Sequence, residues 1–123
     1  MDQSKPTVFT DDRVASAVLD VIRNAERYVV LVSPYNQFWD HLRDDLRLAV
    51  RRNVQVTLIY REDQPATDID WVGSLGVTVY GVGRLHAKIF MNESVLLVTS
   101  MNLLETSSKN SKEIAIQIND EVT

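Results

Sequence analysis

The chain contains no cysteine, which excludes disulfides and thiolate metal sites and fits a cytoplasmic location. No apolar run approaches the roughly 18 residues that a membrane span needs. Residues Met1 to Pro6 lack the basic start and apolar stretch of a secretory signal. Positive charge is also short. Thirteen Lys and Arg stand against 17 Asp and Glu, a net charge of −4 with a pI near 5.1. That balance argues against strong non-specific nucleic-acid binding by the whole domain, while a local basic patch stays open. The two His follow no metal-ligand spacing such as His-Glu-x-x-His, so neither a metal nor a cofactor is expected. Gly-x-Ser-x-Gly, P-loop and dinucleotide patterns are absent, leaving esterase, NTPase and dehydrogenase readings unsupported. Gly81-Val82-Gly83 precedes no helix start and reads as a turn.

What is present is an ordinary globular composition, 45% hydrophobic and 24% charged over 123 residues. It is enough for one domain over residues 1–123 with a real core, and too short for two catalytic modules. Its last residues, Asn119 to Thr123, close nothing, which suits either a natural end or a domain cut from a longer protein. Thr7-Val8-Phe9 suggests a short edge strand and Thr10 an N-cap, with Asp11 and Asp12 in a first helical turn. Val14, Val18, Val21, Ile22 and Ala25 carry helical spacing to about Arg27. Tyr28 to Val32 reads as a buried parallel strand, ended by the loop Ser33-Pro34-Tyr35-Asn36. A second amphipathic helix is predicted from about Gln37 to Arg52, with His41 at the margin of its apolar face. Strands follow at Val54 to Tyr60 and Val77 to Tyr80, with a short helix carrying Trp71 between them. After Asn102, Leu103 to Ser108 suits a short helix or turn, and a last strand is predicted over Glu113 to Ile118. This order predicts an α/β domain, a mixed β-sheet flanked by helices on both faces.

The most informative stretch runs from His86 to Asn102. Two apolar runs flank Asn92-Glu93-Ser94, the pattern of a β-hairpin. Alternation puts His86, Lys88 and Phe90 on one side, with the His and Lys Cα atoms roughly 7 Å apart. A two-residue turn at Asn92-Glu93 would set Thr99 opposite His86 and Leu97 opposite Lys88. Ser100 and Asn102 then emerge beside the His-Lys pair. A nucleophile or base, a cation and two neutral hydrogen-bonding groups at one hairpin end outline an anion-handling site. Arg84, Lys88, Lys109 and Lys112 lie near it in sequence and Arg51-Arg52 are further candidates for a phosphate-binding patch.

His86-x-Lys88, four residues, Glu93, then Thr99-Ser100-Met101-Asn102 resembles the signature of the phospholipase D superfamily, His-x-Lys, four residues, Asp, then Gly-Ser-x-x-Asn. Leu103 and the stretch Lys109 to Glu113 resemble the superfamily's continuation. This chain departs from the pattern at three points. Glu93 replaces Asp, Thr99 replaces Gly, and Asn102 arrives one residue early, which suggests a tighter hairpin and leaves Glu93 as a turn residue.

The resemblance implies the phospholipase D-like fold, half of a two-motif enzyme. It also implies metal-independent phosphodiester chemistry through a phospho-histidine on His86. Lys88 and Asn102 would hold the non-bridging oxygens, with Ser100 bonding the phosphate or orienting its neighbours. Glu113 would accept the second ring N–H of His86. Thr99, Arg84 and Lys109 complete the expected substrate contacts. One His cannot readily be both nucleophile and leaving-group acid, so a homodimer with two facing His86 rings is expected. Three functions are compatible: a nuclease on DNA or RNA, which leads; a phospholipase or phosphatidyl transferase; and a non-catalytic nucleic-acid-binding or dimerisation module.

Overall fold

The computed structural model describes residues 5–65, 67–104 and 112–119. Lys109 lies outside the described residues, as does the stretch 105–108 expected to continue a short helix or turn from Leu103.

Helix α1 (Asp12–Arg23) forms where the apolar spacing required it, burying Val14, Val18, Val21 and Ile22 on one face. Its N-cap is Asp11 rather than Thr10, with no side-chain capping bond. Helix α2 is shorter than expected, Asp40–Arg51, and buries Leu42, Leu46 and Ala49. One charged contact ties the two helices, the Arg23 Nε to Asp45 Oδ2 bond of 2.7 Å. Burial pushes the Asp45 carboxyl above its ordinary range, against the pull of Arg23. Helix α3 (Thr67–Ser74) is the short helix that carries Trp71.

Strands β1 (Thr7–Thr10), β2 (Tyr28–Val32), β4 (Gln55–Arg61), β5 (Thr78–Val82), β6 (Ile89–Asn92), β7 (Val95–Thr99) and β9 (Ile114–Asn119) form one sheet, in the order β1-β9-β7-β6-β2-β4-β5. β2, β4 and β5 pair in parallel. The remaining pairs are antiparallel, so the sheet is mixed, as expected. A second, two-stranded sheet joins β3 (Asn36–Gln37) to β8 (Leu103–Leu104) in parallel. These two-residue strands stand where a helix start and a helix or turn were predicted.

Alternation along the strands sends Val29, Leu31, Val56, Leu58, Phe90, Leu97 and Ala115 into one core with the apolar faces of the helices. All three helices belong to that core. The opposite sheet face carries Val98, Ile114, Ile116 and Ile118, each more than 40% exposed. A covering layer on that second face is not among the described elements.

The hairpin register differs from expectation by two residues. Phe90 pairs with Leu97 and Met91 with Leu96, so Glu93-Ser94 forms the turn and Thr99 stands opposite Lys88, where it donates its N–H to the Lys88 carbonyl. The cause is Asn92, which is buried. Its Oδ1 accepts the N–H groups of Ser94 and Val95 at 2.8 and 2.9 Å, and its Nδ2 donates to Val21 O at 2.8 Å. Glu93 is more than a turn residue: its carboxylate accepts the backbone N–H of Glu26, Arg27 and Tyr28 at 3.0, 2.9 and 3.2 Å. It thereby clamps the hairpin tip to the start of β2.

Partial burial acts upward on the Glu93 carboxyl, but the N–H groups of Arg27, Glu26 and Tyr28 outweigh it and hold the pKa below the ordinary 4.5. A depressed folded-state pKa stabilises the fold fully above the unfolded value, and that contribution fades as pH falls through the folded one. Glu93→Gln is therefore expected to unfold at lower denaturant than wild type at neutral pH. The gap in urea midpoints should close as pH drops below 4.5; a gap that widens in acid contradicts the clamp.

Candidate active site

The topology gathers several chain segments at one edge of the sheet. β2, β4 and β5 run parallel and end there, in Val32, Arg61 and Val82. β6 is antiparallel to β2, with Val32 paired to Ile89, so the residues that precede β6 arrive at the same edge. β7 returns to it and β9 starts from it. Clefts at the carboxyl ends of parallel strands are the usual ligand sites of open α/β sheets.

His86 and Lys88 sit in the extended segment just before β6 rather than inside the strand. His86 is exposed, and Lys88 Nζ donates to His86 O at 3.0 Å. The group beside the ring is one that sequence reasoning missed: Arg61 Nη1 lies 3.5 Å from His86 Nε2. Arg61 ends β4 with its side chain mostly buried, and Asp63 Oδ1 accepts its Nε at 2.9 Å. That bond raises the Arg61 pKa further, so the guanidinium is a permanent charge. Gln64 and Arg61 hold the Asp63 carboxyl below its ordinary range. Arg61 Nη1 also reaches Tyr35 Oη at 3.4 Å.

Tyr35 is held by the turn after β2. Ser33 is fully buried; its hydroxyl donates to Tyr35 O at 3.1 Å and accepts Leu103 N–H at 2.9 Å. Asn102 Oδ1 accepts the Tyr35 N–H at 3.4 Å. The Asn102 amide oxygen thus faces the protein, which leaves its NH₂ as the end suited to an anion.

Ser100 and Glu113 come together, the hydroxyl donating to Glu113 Oε1 at 3.2 Å and accepting Ile114 N–H at 3.1 Å. The expected bond from His86 to Glu113 is not among the described hydrogen bonds; the Glu113 carboxylate accepts from Ser100 instead. Thr99 turns inward to the backbone, its Oγ1 donating to Ile114 O at 2.7 Å and accepting Met101 N–H at 3.0 Å. That use explains how a Thr fits where the signature has Gly.

The basic patch is smaller than expected. Arg84 is exposed in the turn before His86, with φ 58°. Lys112 is exposed beside Asp11 at 4.0 Å. Arg51 and Arg52 are at the other end of the sheet, where Arg52 Nη2 donates to the carbonyls of Ile22, Arg23 and Ala25 ahead of β2. His41 is exposed in the first turn of α2, and no described hydrogen bond or ion pair joins it to the His86 group. Among the described residues no three His, Asp or Glu side chains cluster to hold a metal ion, and no helix is long and apolar enough to cross a membrane.

The exposed His86 imidazole thus has the Arg61 guanidinium beside its ring and the Lys88 ammonium on its own carbonyl, with Asn102 joined to the same group of residues through Tyr35. Residues 18–123 match the family model described as cardiolipin synthase, PLD-like domain. The chain therefore belongs to the phospholipase D-like family, whose members are phosphodiesterase-type enzymes. Cardiolipin synthase A of Buchnera aphidicola is 27% identical over 91% of this chain, but over only 25% of its own length. The chain thus spans about a quarter of the curated relatives it matches. Among solved structures, the phospholipase D family member Nuc from Salmonella typhimurium aligns with a TM-score of 0.79 at 17% identity, covering 94% of this chain and 84% of Nuc. NucT from Helicobacter pylori aligns with a TM-score of 0.81 at 15% identity, covering 94% of this chain and 86% of NucT. At those identities the shared property is the fold.

Inorganic phosphate added to labelled protein is expected to shift the His86 imidazole, Tyr35 amide and Asn102 side-chain NMR signals together, leaving Asn53 and Gln55 at the far sheet edge unmoved. Equal shifts at both edges contradict a localised site.

Proposed function

We propose that this chain is a metal-independent phosphodiesterase of nuclease type, cutting DNA or RNA through a phospho-histidine on His86 as a homodimer. The observation that carries the reading is the exposed His86 ring with the Arg61 guanidinium 3.5 Å from Nε2 and the Lys88 ammonium on the His86 carbonyl, Asn102 being assigned as the third donor. A phosphodiester resists attack because its anionic oxygens repel nucleophiles; the three donors offset that charge as the trigonal-bipyramidal state forms.

In the first step His86 Nε2 forms a bond to phosphorus while the bond to the leaving oxygen breaks in line. The leaving oxygen needs a proton from the side opposite His86. The partner's His86 supplies it across a two-fold axis, since His41 makes no described contact with the His86 group. In the second step water attacks phosphorus, the partner's His86 takes the water proton, and the P–N bond breaks to restore His86. Ser100 holds the Glu113 carboxylate, and together they order the strand end that carries Asn102.

The lipid reading is supported by the cardiolipin synthase A relatives. It uses the same two steps, with a lipid-derived alcohol as the leaving group of the first and, for a phosphatidyl transferase, an acceptor alcohol in place of water in the second. Incubation in EDTA with labelled single-stranded DNA, duplex DNA, RNA and phospholipid vesicles separates the two. Cleavage of nucleic acid alone is expected; lipid turnover alone contradicts the leading reading, and no turnover anywhere favours the binding module. His86→Ala should lower turnover by about 10³-fold or more while binding persists. Sedimentation should find the active species to be a dimer.

Arg61→Ala is expected to cost about a hundredfold in turnover, in line with removing one donor from a developing charge. Arg61→Lys should restore only part of it, because the ammonium lacks the fork that Asp63 and Tyr35 hold. Single-turnover kinetics check this. Wild-type rates in Arg61→Ala would remove the guanidinium from the mechanism.

A further inference from the structure

Next to the His86 edge lies a cavity of about 660 Å³, within the size range of small-ligand sites. Tyr35, the side chain in contact with Arg61, lines it together with Asn36, Gln37, Phe38 and Gln64. The geometry points to a nucleobase pocket: this cavity takes one unpaired base of the nucleotide next to the scissile phosphate. The inference rests on the nuclease reading and adds what part of the substrate is recognised and where.

Three observations select a base over other occupants. First, the charges in the wall are already spent. Arg43 pairs with Asp68, whose other oxygen accepts the Phe38 N–H at 3.0 Å, and the Arg43 guanidinium lies 4.4 Å over the Trp71 ring. The cavity therefore presents no free charge from that pair, and a neutral group suits it. Second, Asn36 carries a buried acceptor with nothing bonded to it among the described residues. Its Nδ2 donates to Ser33 O at 2.8 Å, which fixes the amide orientation, because a flipped amide would set two oxygens together. Its Oδ1 is buried without a partner, a state that costs free energy until a donor arrives. A base edge brings an N–H that reaches it once the wall yields enough to uncover the oxygen; an acyl chain brings none. Third, the wall combines aromatic rings with amides. The partly buried Tyr35 ring suits a flat π-face, while Phe38 is buried; the Gln37 amide both donates and accepts, as base-edge recognition requires, and Gln64 keeps its oxygen and one N–H besides its bond to Asp63.

The spacing fits one nucleotide. Tyr35 Oη is 3.4 Å from Arg61 Nη1, which is 3.5 Å from His86 Nε2. A phosphate at His86 and a base at Tyr35 are thus separated by about one sugar. A base in a duplex has its edge paired and its faces stacked, so entry requires an unpaired or extruded base. Preference for single strands follows.

The test uses the full chain and two probes. In oligonucleotide cleavage, replacing the base next to the cut bond by an abasic sugar should raise KM about tenfold or more, the scale of one lost base contact. Gln37→Ala, on the β3 side of the pocket, should raise KM for the intact strand and not for the abasic one. In binding, tryptophan emission should report nucleoside monophosphates about tenfold tighter than ribose 5-phosphate, and Asn36→Leu should erase that difference. Equal cleavage of intact and abasic strands, with no single-strand preference, overturns the pocket and leaves the nuclease reading intact. No nucleic-acid cleavage together with base-dependent binding defeats the nuclease reading and keeps the pocket. Equal binding of ribose 5-phosphate and nucleoside monophosphates, or binding of glycerophosphate alone, overturns the pocket.

Discussion

The antiparallel pairing of β6 with β2 is the constraint on which the rest depends. Val32 faces Ile89 and Leu31 faces Phe90, and Phe90 is fully buried. A slip by one residue would turn Phe90 out to solvent and bring Met91 in, a change resisted by several kcal/mol of burial, about 1.5–3 for a large apolar side chain alone. Because the register is fixed in this way, His86 and Lys88 reach the edge where the parallel strands end. Asn92 and Glu93 hold the other end of the same hairpin by six hydrogen bonds to Val21, Ser94, Val95 and the segment Glu26 to Tyr28. The placement of His86 and Lys88 at one end is therefore secured by backbone capture at the other.

That division of labour explains what the sequence made legible. The element order followed from local periodicity, as in the Val14-Val18-Val21-Ile22 spacing and the alternation of Val54, Val56 and Leu58. That His86 and Lys88 precede one hairpin strand and Asn102 follows the other was readable because a hairpin brings near neighbours in sequence together. The exact pairing was not, since the turn is set by the Asn92 side chain taking two backbone N–H groups, which shifts Thr99 from His86 to Lys88. Two-residue strands such as Asn36–Gln37 have no period to detect. Arg61 was invisible for a different reason. It is 25 positions from His86 and adjoins it only because β4 pairs with β2 in parallel. The available signal was its place at the C-terminal end of a buried strand, where ligand-binding residues gather.

Charge in this protein is local. The net charge is −4, yet the His86 edge carries Arg61, Lys88 and Arg84, and Arg61 is aimed by Asp63 and Tyr35. An acidic surface with one fixed cationic point favours small, defined anions over long stretches of nucleic-acid backbone. It also makes recognition depend on neutral groups around that point, which is the role open to the amides and rings beside Tyr35. Ser100, Thr99 and Glu113 act one step back, their hydroxyl and carboxylate groups engaged in joining β7 to β9.

The central claim is that His86 attacks phosphorus and carries the substrate covalently. Mixing the protein with an end-labelled oligonucleotide, quenching in alkali within one turnover and sequencing the labelled peptide by mass spectrometry reads this directly. A P–N adduct on His86, at one label for every two chains, is the predicted result. Cleavage in full with no adduct on any His86, or an adduct on another side chain, would contradict the account.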